Sequence, residues 1–137
     1  MDFEHTKKTK DLMSIVADFI NTHIKPAESI YAEEMETYRR EGDQWRVPKI
    51  LYELKEKAKG AGLWNFSLTG DLGYGLTNLE FAPLAEMMGV GWTSEVFNSS
   101  APDAGNMEVL DKYGTKEQKD KWLKPLLDGS MLSLIHI

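Results

Sequence analysis

Residues 113–130, YGTKEQKDKWLKPLLDGS, have the pattern of a single amphipathic helix with a marked beginning and a marked end. Thr115 and Gln118 form a capping box, in which each side chain accepts a hydrogen bond from the other residue's backbone N–H. Gly129 is placed to end the helix, because glycine adopts the left-handed conformation of a helix C-terminus without steric cost. Apolar residues at helical spacing predict one buried face: Trp122, Leu123, Leu126 and Leu127.

Other segments of the chain also have residues typical of helix starts and helix ends. The first predicted helix is capped by Thr9 and ends at Pro26, since the residue before a proline is driven out of the α region. Its buried stripe is expected to consist of Leu12, Ile15, Val16, Phe19 and Ile20. A second helix is expected to start at Pro48 and to end at Gly60 and Gly62.

A capping box of Thr77 and Glu80 opens a third predicted helix, which runs to Gly89. A further helix is expected to start near Ser100 and to stop at Gly114. With a partly helical connection over residues 27–47 and short loops between the helices, the pattern predicts an all-α fold, a helical bundle of five to six helices.

The composition excludes several kinds of chemistry. The 137-residue chain has no cysteine, and it therefore has no disulfide, thiolate nucleophile or zinc–thiolate site. Its net charge is -6, with basic and acidic residues interleaved, which argues against a nucleic-acid partner. No apolar run approaches the length of a membrane span. We expect a soluble, cytoplasmic protein.

No metal or catalytic site is predicted. A di-iron bundle requires Glu-x-x-His pairs, and the sequence contains none. The acidic run at Glu33, Glu34 and Glu36 is therefore interpreted as a solvated face. The three histidines lie near a terminus or a helix end, without triad or metal partners at a suitable spacing: His5, His23 and His136.

The glycine-rich stretch before the third helix could bind a phosphate or could be a plain loop. Gly73 and Gly75 precede a helix start, where backbone N–H groups can hold an anion. Asn78, however, stands where a dinucleotide fingerprint would place its third glycine, so a loop is favoured. The aromatic residues of the connectors are likewise interpreted as plugs between helices rather than pocket walls: Trp45, Trp64, Phe66, Trp92 and Phe97.

Residues 99–110, SSAPDAGNMEVL, carry small side chains around a predicted helix start. Ala101, Ala104 and Gly105 either let two helices touch or leave a channel for a long apolar ligand against the backbone. The spacing alone does not decide between these two interpretations.

Five stretches carry a family resemblance: FINTHIKPAESIY, LKEKAKGAGLWN, GLTNLEFAPLAEMMG, FNSSAPDAGNMEVL and YGTKEQKDKWLKPLLDGS. Together they resemble the N-terminal helical domain of flavin-dependent acyl-CoA dehydrogenases, and the resemblance extends over nearly all of residues 5–130. FNSSAPDAGNMEVL resembles the branch that also occurs as the dehydrogenase part of larger fused proteins. Acyl-CoA oxidases and flavin monooxygenases related to this family share the fold.

The resemblance implies an FAD enzyme that converts acyl-CoA to 2-enoyl-CoA and forms a homo-oligomer when full length. In such relatives a base removes the α-proton while the flavin accepts the β-hydride, and both groups are expected in later domains. No catalytic and no cofactor-binding residue is therefore assigned here. What carries over is the wall of the acyl tunnel, which favours the channel interpretation: Ala101, Pro102, Gly105, Asn106 and Val109.

The resemblance also divides the chain. Residues 1–130 are expected to form the N-terminal helical domain, and residues 131–137, MLSLIHI, to be a divergent tail in place of the start of a β-domain, without its Thr-Glu-Pro motif. We expect a truncated chain that is inactive alone. The alternative is a non-catalytic helical module that binds acyl groups or a partner.

Overall fold

The computed structural model describes residues 4–68, 72–89 and 92–133. These residues form helices and connectors, and none of them lies in a strand. In chain order the helices are α1 (Lys7–Phe19), π1 (Ile20–Ile24), α2 (Lys25–Arg40), α3 (Lys49–Gly60), α4 (Asn78–Met88), α5 (Thr93–Val96), α6 (Asp103–Tyr113), α7 (Lys116–Gln118), π2 (Lys119–Leu123) and α8 (Lys124–Asp128). Because π1 and π2 join their neighbours without a break, the described residues form six continuous helices, and the predicted all-α bundle is confirmed.

A long helix opens the fold, where the sequence predicted a stop at Pro26. The backbone N–H of Lys25 donates to the carbonyl of Ile20, five residues back, so the helix widens into π1 just before the proline. This wider turn accommodates a ring that would clash with the carbonyl four residues earlier in a regular α-helix. The helix therefore continues to Arg40, and most of the predicted connection over residues 27–47 is α2.

The N-cap of this helix also differs from the prediction. Thr6 is the cap, and its hydroxyl oxygen accepts a hydrogen bond from the backbone N–H of Thr9 at 3.2 Å. Thr9, the predicted cap, is buried inside the first turn. The predicted stripe is correct at Val16 and Phe19, which are buried, and at Leu12 and Ile20, which pack against the core, while Ile15 is half exposed.

The same widening recurs before the last proline. The N–H of Lys124 donates to the carbonyl of Lys119, and Pro125 follows directly. Two separate helices of this bundle thus continue through a proline, and in each a five-residue π segment lies just before it. The proline removes one backbone donor in each case, and the changed hydrogen-bond pattern lets the helix continue.

Both predicted capping boxes are present. The N–H of Thr77 donates to the Glu80 carboxylate at 2.9 Å, and the N–H of Glu80 donates to the Thr77 hydroxyl at 3.3 Å. Thr115 and Gln118 exchange the equivalent pair of bonds at 2.9 and 3.2 Å. Four backbone donors that would otherwise lack partners at helix starts are therefore satisfied by local side chains.

The hydrophobic core has two parts. The larger part lies among α1, π1, α2, α3, α4, α5 and the connectors: Val16, Phe19, Ile24, Ala27, Ile50, Leu51, Leu54, Ala58, Leu63, Phe66, Leu76, Leu84, Met88, Val96 and Phe97. The smaller part seats α6 against π2 and α8: Leu68, Met107, Leu123 and Leu126. None of the helices among the described residues is long and apolar enough to cross a membrane.

The aromatic connectors mostly fill the core, as predicted. Phe66 and Phe97 are almost fully buried and meet edge to face, with ring centroids 5.9 Å apart. Trp92 stacks on Tyr31 at 4.4 Å. Trp45 is the exception, because 87% of its surface is exposed and it plugs no gap within this chain.

Candidate functional site

The candidate ligand surface consists of the start of α6 and the turn before it. The turn leaves the core at Phe97 and reaches α6 through a cis bond between Ala101 and Pro102. Ser100, predicted to start the helix, instead donates its hydroxyl hydrogen to Glu95. The helix itself begins at Asp103.

Three of the five predicted substrate residues are exposed: Ala101, Gly105 and Val109. Gly105 and Val109 are four positions apart within α6 and lie on the same side of it, whereas Ala101 precedes the helix. A Cβ placed on Gly105 would have no atom within 4 Å outside its own stretch of helix. No helix among the described residues therefore requires a glycine here for close contact.

The other two predicted residues, Pro102 and Asn106, are half-buried. Asn106 lies with the exposed Val109 along a groove of about 310 Å³ between α6 and α8. Its remaining lining residues are Leu110, Trp122, Leu126, Met131 and Ser133. Pro102 is the residue before α6, and neither it nor Ala101 or Gly105 contributes to this groove.

The segment after α8 is fastened to the start of α6. Asp103 is only 4% exposed, and its carboxylate accepts hydrogen bonds from the backbone N–H and the hydroxyl of Ser133. Asn106 donates to the same hydroxyl at 2.9 Å. Met131 and Ser133 border the α6 groove, while Leu132 between them borders a different groove. Residues 131–133 of the predicted tail thus pack against the bundle; residues 134–137, including His136, lie outside the described residues.

A buried polar cluster holds the turn from its other side. Asn98 donates to the side-chain oxygen of Asn65 at 2.6 Å and to the carbonyl of Leu126 at 2.9 Å. Asn65 and Trp64 donate to the carbonyl of Leu127 at 3.0 and 2.7 Å. The carbonyls of Leu126 and Leu127 near the end of α8 are therefore capped by side chains from two connectors, and the Leu126 carbonyl also accepts from the N–H of Gly129.

A second groove, of about 390 Å³, lies between α2, α3 and the segment after α8. Its wall includes the ion pair of Lys55 and Glu95, with 3.3 Å between nitrogen and oxygen. Tyr31 borders the groove as well, and burial, together with the nearby Glu95 carboxylate, raises the pKa of its hydroxyl. Exposed Trp45 and Tyr52 complete the rim.

Gly73 and His23 both lie in packing contacts. A Cβ on Gly73 would lie 2.2 Å from the carbonyl oxygen of Leu68, so close packing of the loop accounts for this glycine. His23 contacts the ring of Phe19, with 4.8 Å between ring centroids. Over residues 4–68, 72–89 and 92–133, no three His, Cys, Asp or Glu side chains are grouped so as to hold a metal.

Sequence reasoning missed the side chains that support the turn. Glu95 and Lys55 are 40 positions apart, and Asn98 and Asn65 are 33 apart, so no periodic pattern connects them. In the structure both asparagines have positive φ, 60° at Asn65 and 52° at Asn98, and their residue type is the one signal of this in the sequence. Asparagine is among the few residues that tolerate this conformation, and it occurs there in turns.

Comparison with known proteins agrees with this architecture. The family described as Acyl-CoA dehydrogenase, N-terminal domain, matches residues 6–130. A protein of Mycobacterium tuberculosis named "Probable acyl-CoA dehydrogenase FadE2" is 45% identical over 139 residues, which cover 97% of this chain and 32% of that protein. Acyl-CoA dehydrogenase family member 10 of Mus musculus is 43% identical over 131 residues, which cover 90% of this chain and 12% of that protein.

A solved structure from Mycobacterium abscessus, described as "a putative acyl-CoA dehydrogenase", superposes with a TM-score of 0.84 at 43% identity. The match covers 93% of this chain and 33% of that one. The chain thus spans about a third or less of the length of these relatives. Since the family match takes in nearly the whole chain, the chain belongs to the acyl-CoA dehydrogenase family and carries its N-terminal domain.

Proposed function

We propose that this chain is the helical domain of an FAD-dependent acyl-CoA dehydrogenase and that the start of α6 forms one wall of its acyl-chain site. The substrate would be an acyl-CoA, and the full-length protein would oxidise it to a 2-enoyl-CoA. The residues proposed to face the acyl chain are Ala101, Pro102, Gly105, Asn106 and Val109. A homo-oligomeric, cytoplasmic enzyme remains our expectation for the full-length protein.

The observation that carries the proposal is the open surface of α6 at Gly105. Gly105 and Ala101, which precedes the helix, are small and exposed, and a Cβ on Gly105 would have no atom within 4 Å outside its own stretch of helix. Glycine inside a helix costs roughly 0.5–1 kcal/mol relative to alanine. Because no close contact within the described chain accounts for that cost, space for a ligand is the interpretation that the geometry supports.

The described residues do not fit FAD. The grooves of the bundle hold about 310 to 520 Å³ and lie open at the surface. An isoalloxazine ring needs an enclosed site with polar groups aimed at its edge. We therefore assign to this chain a role in holding the acyl chain, and we assign none of its residues to proton or hydride transfer.

A fusion tests the proposal. Residues 1–130 would be joined to the remaining part of the Mycobacterium tuberculosis relative, and acyl-CoA oxidation would be measured with short and long chains. Gly105→Leu should lower kcat/KM for long chains by about tenfold relative to short chains, which corresponds to about 1.4 kcal/mol. Lys57→Leu, at an exposed position of α3 that does not border the α6 groove, is the control.

The Gly105→Leu variant should fold normally, so that a change in its chain-length ratio would reflect the acyl site. Space around Gly105 is open, so leucine should not overpack the core, and its better helix propensity should leave the melting temperature unchanged or raised. An unchanged chain-length ratio in Gly105→Leu would contradict the proposal. Binding of acyl-CoA by the 137-residue chain alone, without activity in the fusion, would favour the alternative of a non-catalytic acyl-binding module.

A further inference from the structure

A buried ion pair connects α3 to the helix before the candidate site. The ammonium group of Lys55 lies 3.3 Å from a carboxylate oxygen of Glu95, and the Lys55 side chain is only 7% exposed. A buried ammonium group without a partner is costly, so the position of Glu95 is constrained by the lysine. The Glu95 side chain is 33% exposed and would otherwise be free to turn towards water.

The second oxygen of the same carboxylate holds the turn before α6. Glu95 accepts a hydrogen bond from the hydroxyl of Ser100 at 2.8 Å. The carbonyl of Ser100 in turn accepts from the N–H of Ala104 at 3.0 Å, inside the first turn of α6. Ser100 therefore links the ion pair to the residues on either side of Ala101 and Pro102.

Backbone hydrogen bonds also hold the turn, from the N–H of Ser99 to the carbonyl of Ser94 at 3.0 Å and from the N–H of Asn106 to the carbonyl of Pro102 at 3.1 Å. The other buried side-chain contact lies at the opposite end of the turn. Asn98 is bonded to Asn65 and to the carbonyl of Leu126 within the buried polar cluster. The turn is thus held at Asn98 by the end of α8 and at Ser100 by Glu95. Between these anchors and α6 lie Ala101 and Pro102, which carry no side-chain hydrogen-bonding group of their own.

We infer that Glu95, fixed by Lys55, is a positioning residue that sets the place of Ala101 and Pro102 on the acyl wall. This inference rests on the proposed function. The hydrogen bond from Ser100 transmits the position, while the ion pair prevents Glu95 from leaving it. Replacing a buried ion pair with apolar groups often preserves stability, so an effect on position can be separated from an effect on folding.

Two double variants make this separation in the full 137-residue chain. Lys55→Met with Glu95→Gln removes both charges and keeps an oxygen that accepts from Ser100. Lys55→Met with Glu95→Ala removes the charges and that oxygen. The control is Glu56→Ala, which breaks a more exposed ion pair with Lys59 on the same helix.

The first readout is the NMR spectrum of the turn. We expect the amide signals of Ser100, Ala101 and Gly105 to shift in the Glu95→Ala double variant and to return towards the parent positions in the Glu95→Gln double variant. The control should leave them in place. Equal spectra for the two double variants would overturn the inference, whatever their melting temperatures.

The second readout is chain-length selectivity in the fusion. The Glu95→Ala double variant should change the ratio of long-chain to short-chain kcat/KM by roughly tenfold, since small displacements of a substrate wall have effects of this order or larger. The Glu95→Gln double variant should restore the ratio. If Gly105→Leu alters selectivity and Glu95→Ala does not, the positioning role is wrong; if neither alters it, the proposed function itself fails.

Discussion

At the scale of single residues, left-handed backbone positions determine how α8 meets the connectors. Gly129 ends α8 with φ 75°, and the positive φ values of Asn65 and Asn98 aim their side chains at the last carbonyls of that helix. Each of these positions would be strained for most other residues. The contact between α8 and the turn before α6 therefore depends on three residues, one glycine and two asparagines, whose types accept this conformation.

Gly129→Ala should be among the most destabilising small substitutions in this chain. A Cβ there would lie 2.8 Å from a ring carbon of Trp64, in addition to the positive φ. We expect a loss of roughly 1–3 kcal/mol in the free energy of unfolding, measured by denaturant titration. Gly60→Ala is the control: it has open space and ordinary φ, and we expect it to be neutral or stabilising by up to about 1 kcal/mol. Equal effects would show that the Trp64 contact is unimportant.

At the scale of elements, the two capping boxes differ in one chemical respect. The box of Thr77 uses Glu80, whereas that of Thr115 uses Gln118, which does not titrate. Hydrogen bonds from the backbone N–H and the hydroxyl of Thr77 lower the pKa of Glu80, and the charge of Lys8 adds to this effect. The charged form of Glu80 is therefore favoured in the folded state.

This difference predicts a pH dependence with a definite sign. Because the pKa of Glu80 is lower in the folded than in the unfolded chain, its contribution to stability is complete above the ordinary glutamate pKa of roughly 4.3 and is lost as the pH falls through the folded value. Glu80→Gln should flatten the fall in stability in that acidic range. Gln118→Glu should steepen it, because a titrating group enters the second box. Thermal unfolding at several pH values tests both; parallel curves for all three proteins would contradict the assignment.

At the scale of the whole molecule, the segment after α8 lies between two grooves. Leu132 borders the groove near Lys55, while Met131 and Ser133 border the groove along α6. Exposed apolar side chains rim both grooves: Trp45, Tyr52, Val109, Trp122, Met131 and Leu132. Apolar surface of this kind is typical of a face that packs against further protein.

Removal of residues 131–137 should lower the free energy of unfolding without removing the helices. Helix content, measured by circular dichroism, should persist, because the described residues of this segment, 131–133, belong to neither core. The free energy of unfolding should fall by roughly 1–3 kcal/mol, since Asp103 loses both donors from Ser133. Met131→Ser with Leu132→Ser is the matched variant: it keeps Ser133 and should reduce binding of a hydrophobic dye without that loss. Collapse of the helices in either variant would make the segment part of the core.

The sequence by itself determined those features that depend on neighbours along the chain. The capping boxes at Thr77 and Thr115, and the end of α8 at Gly129, follow from hydrogen bonds and φ preferences within a few residues. The all-α bundle follows from apolar residues at helical spacing. The acyl-facing residues on α6 came from small side chains and family resemblance, and their contact with substrate stays a prediction.

Only the tertiary structure decided what depends on residues far apart in the sequence. Pro26 was expected to end a helix, yet the helix widens into π1 and continues, with Phe19, Ile24 and Ala27 on both sides of the proline in the core, and the local proline rule contains no information about that core. The support of the candidate site is non-local in the same way: Glu95 meets Lys55 from 40 positions away, and Asp103 meets Ser133 from 30. Hydrogen bonds and ion pairs act over a few ångströms, so such partners become visible only when the fold has brought them together.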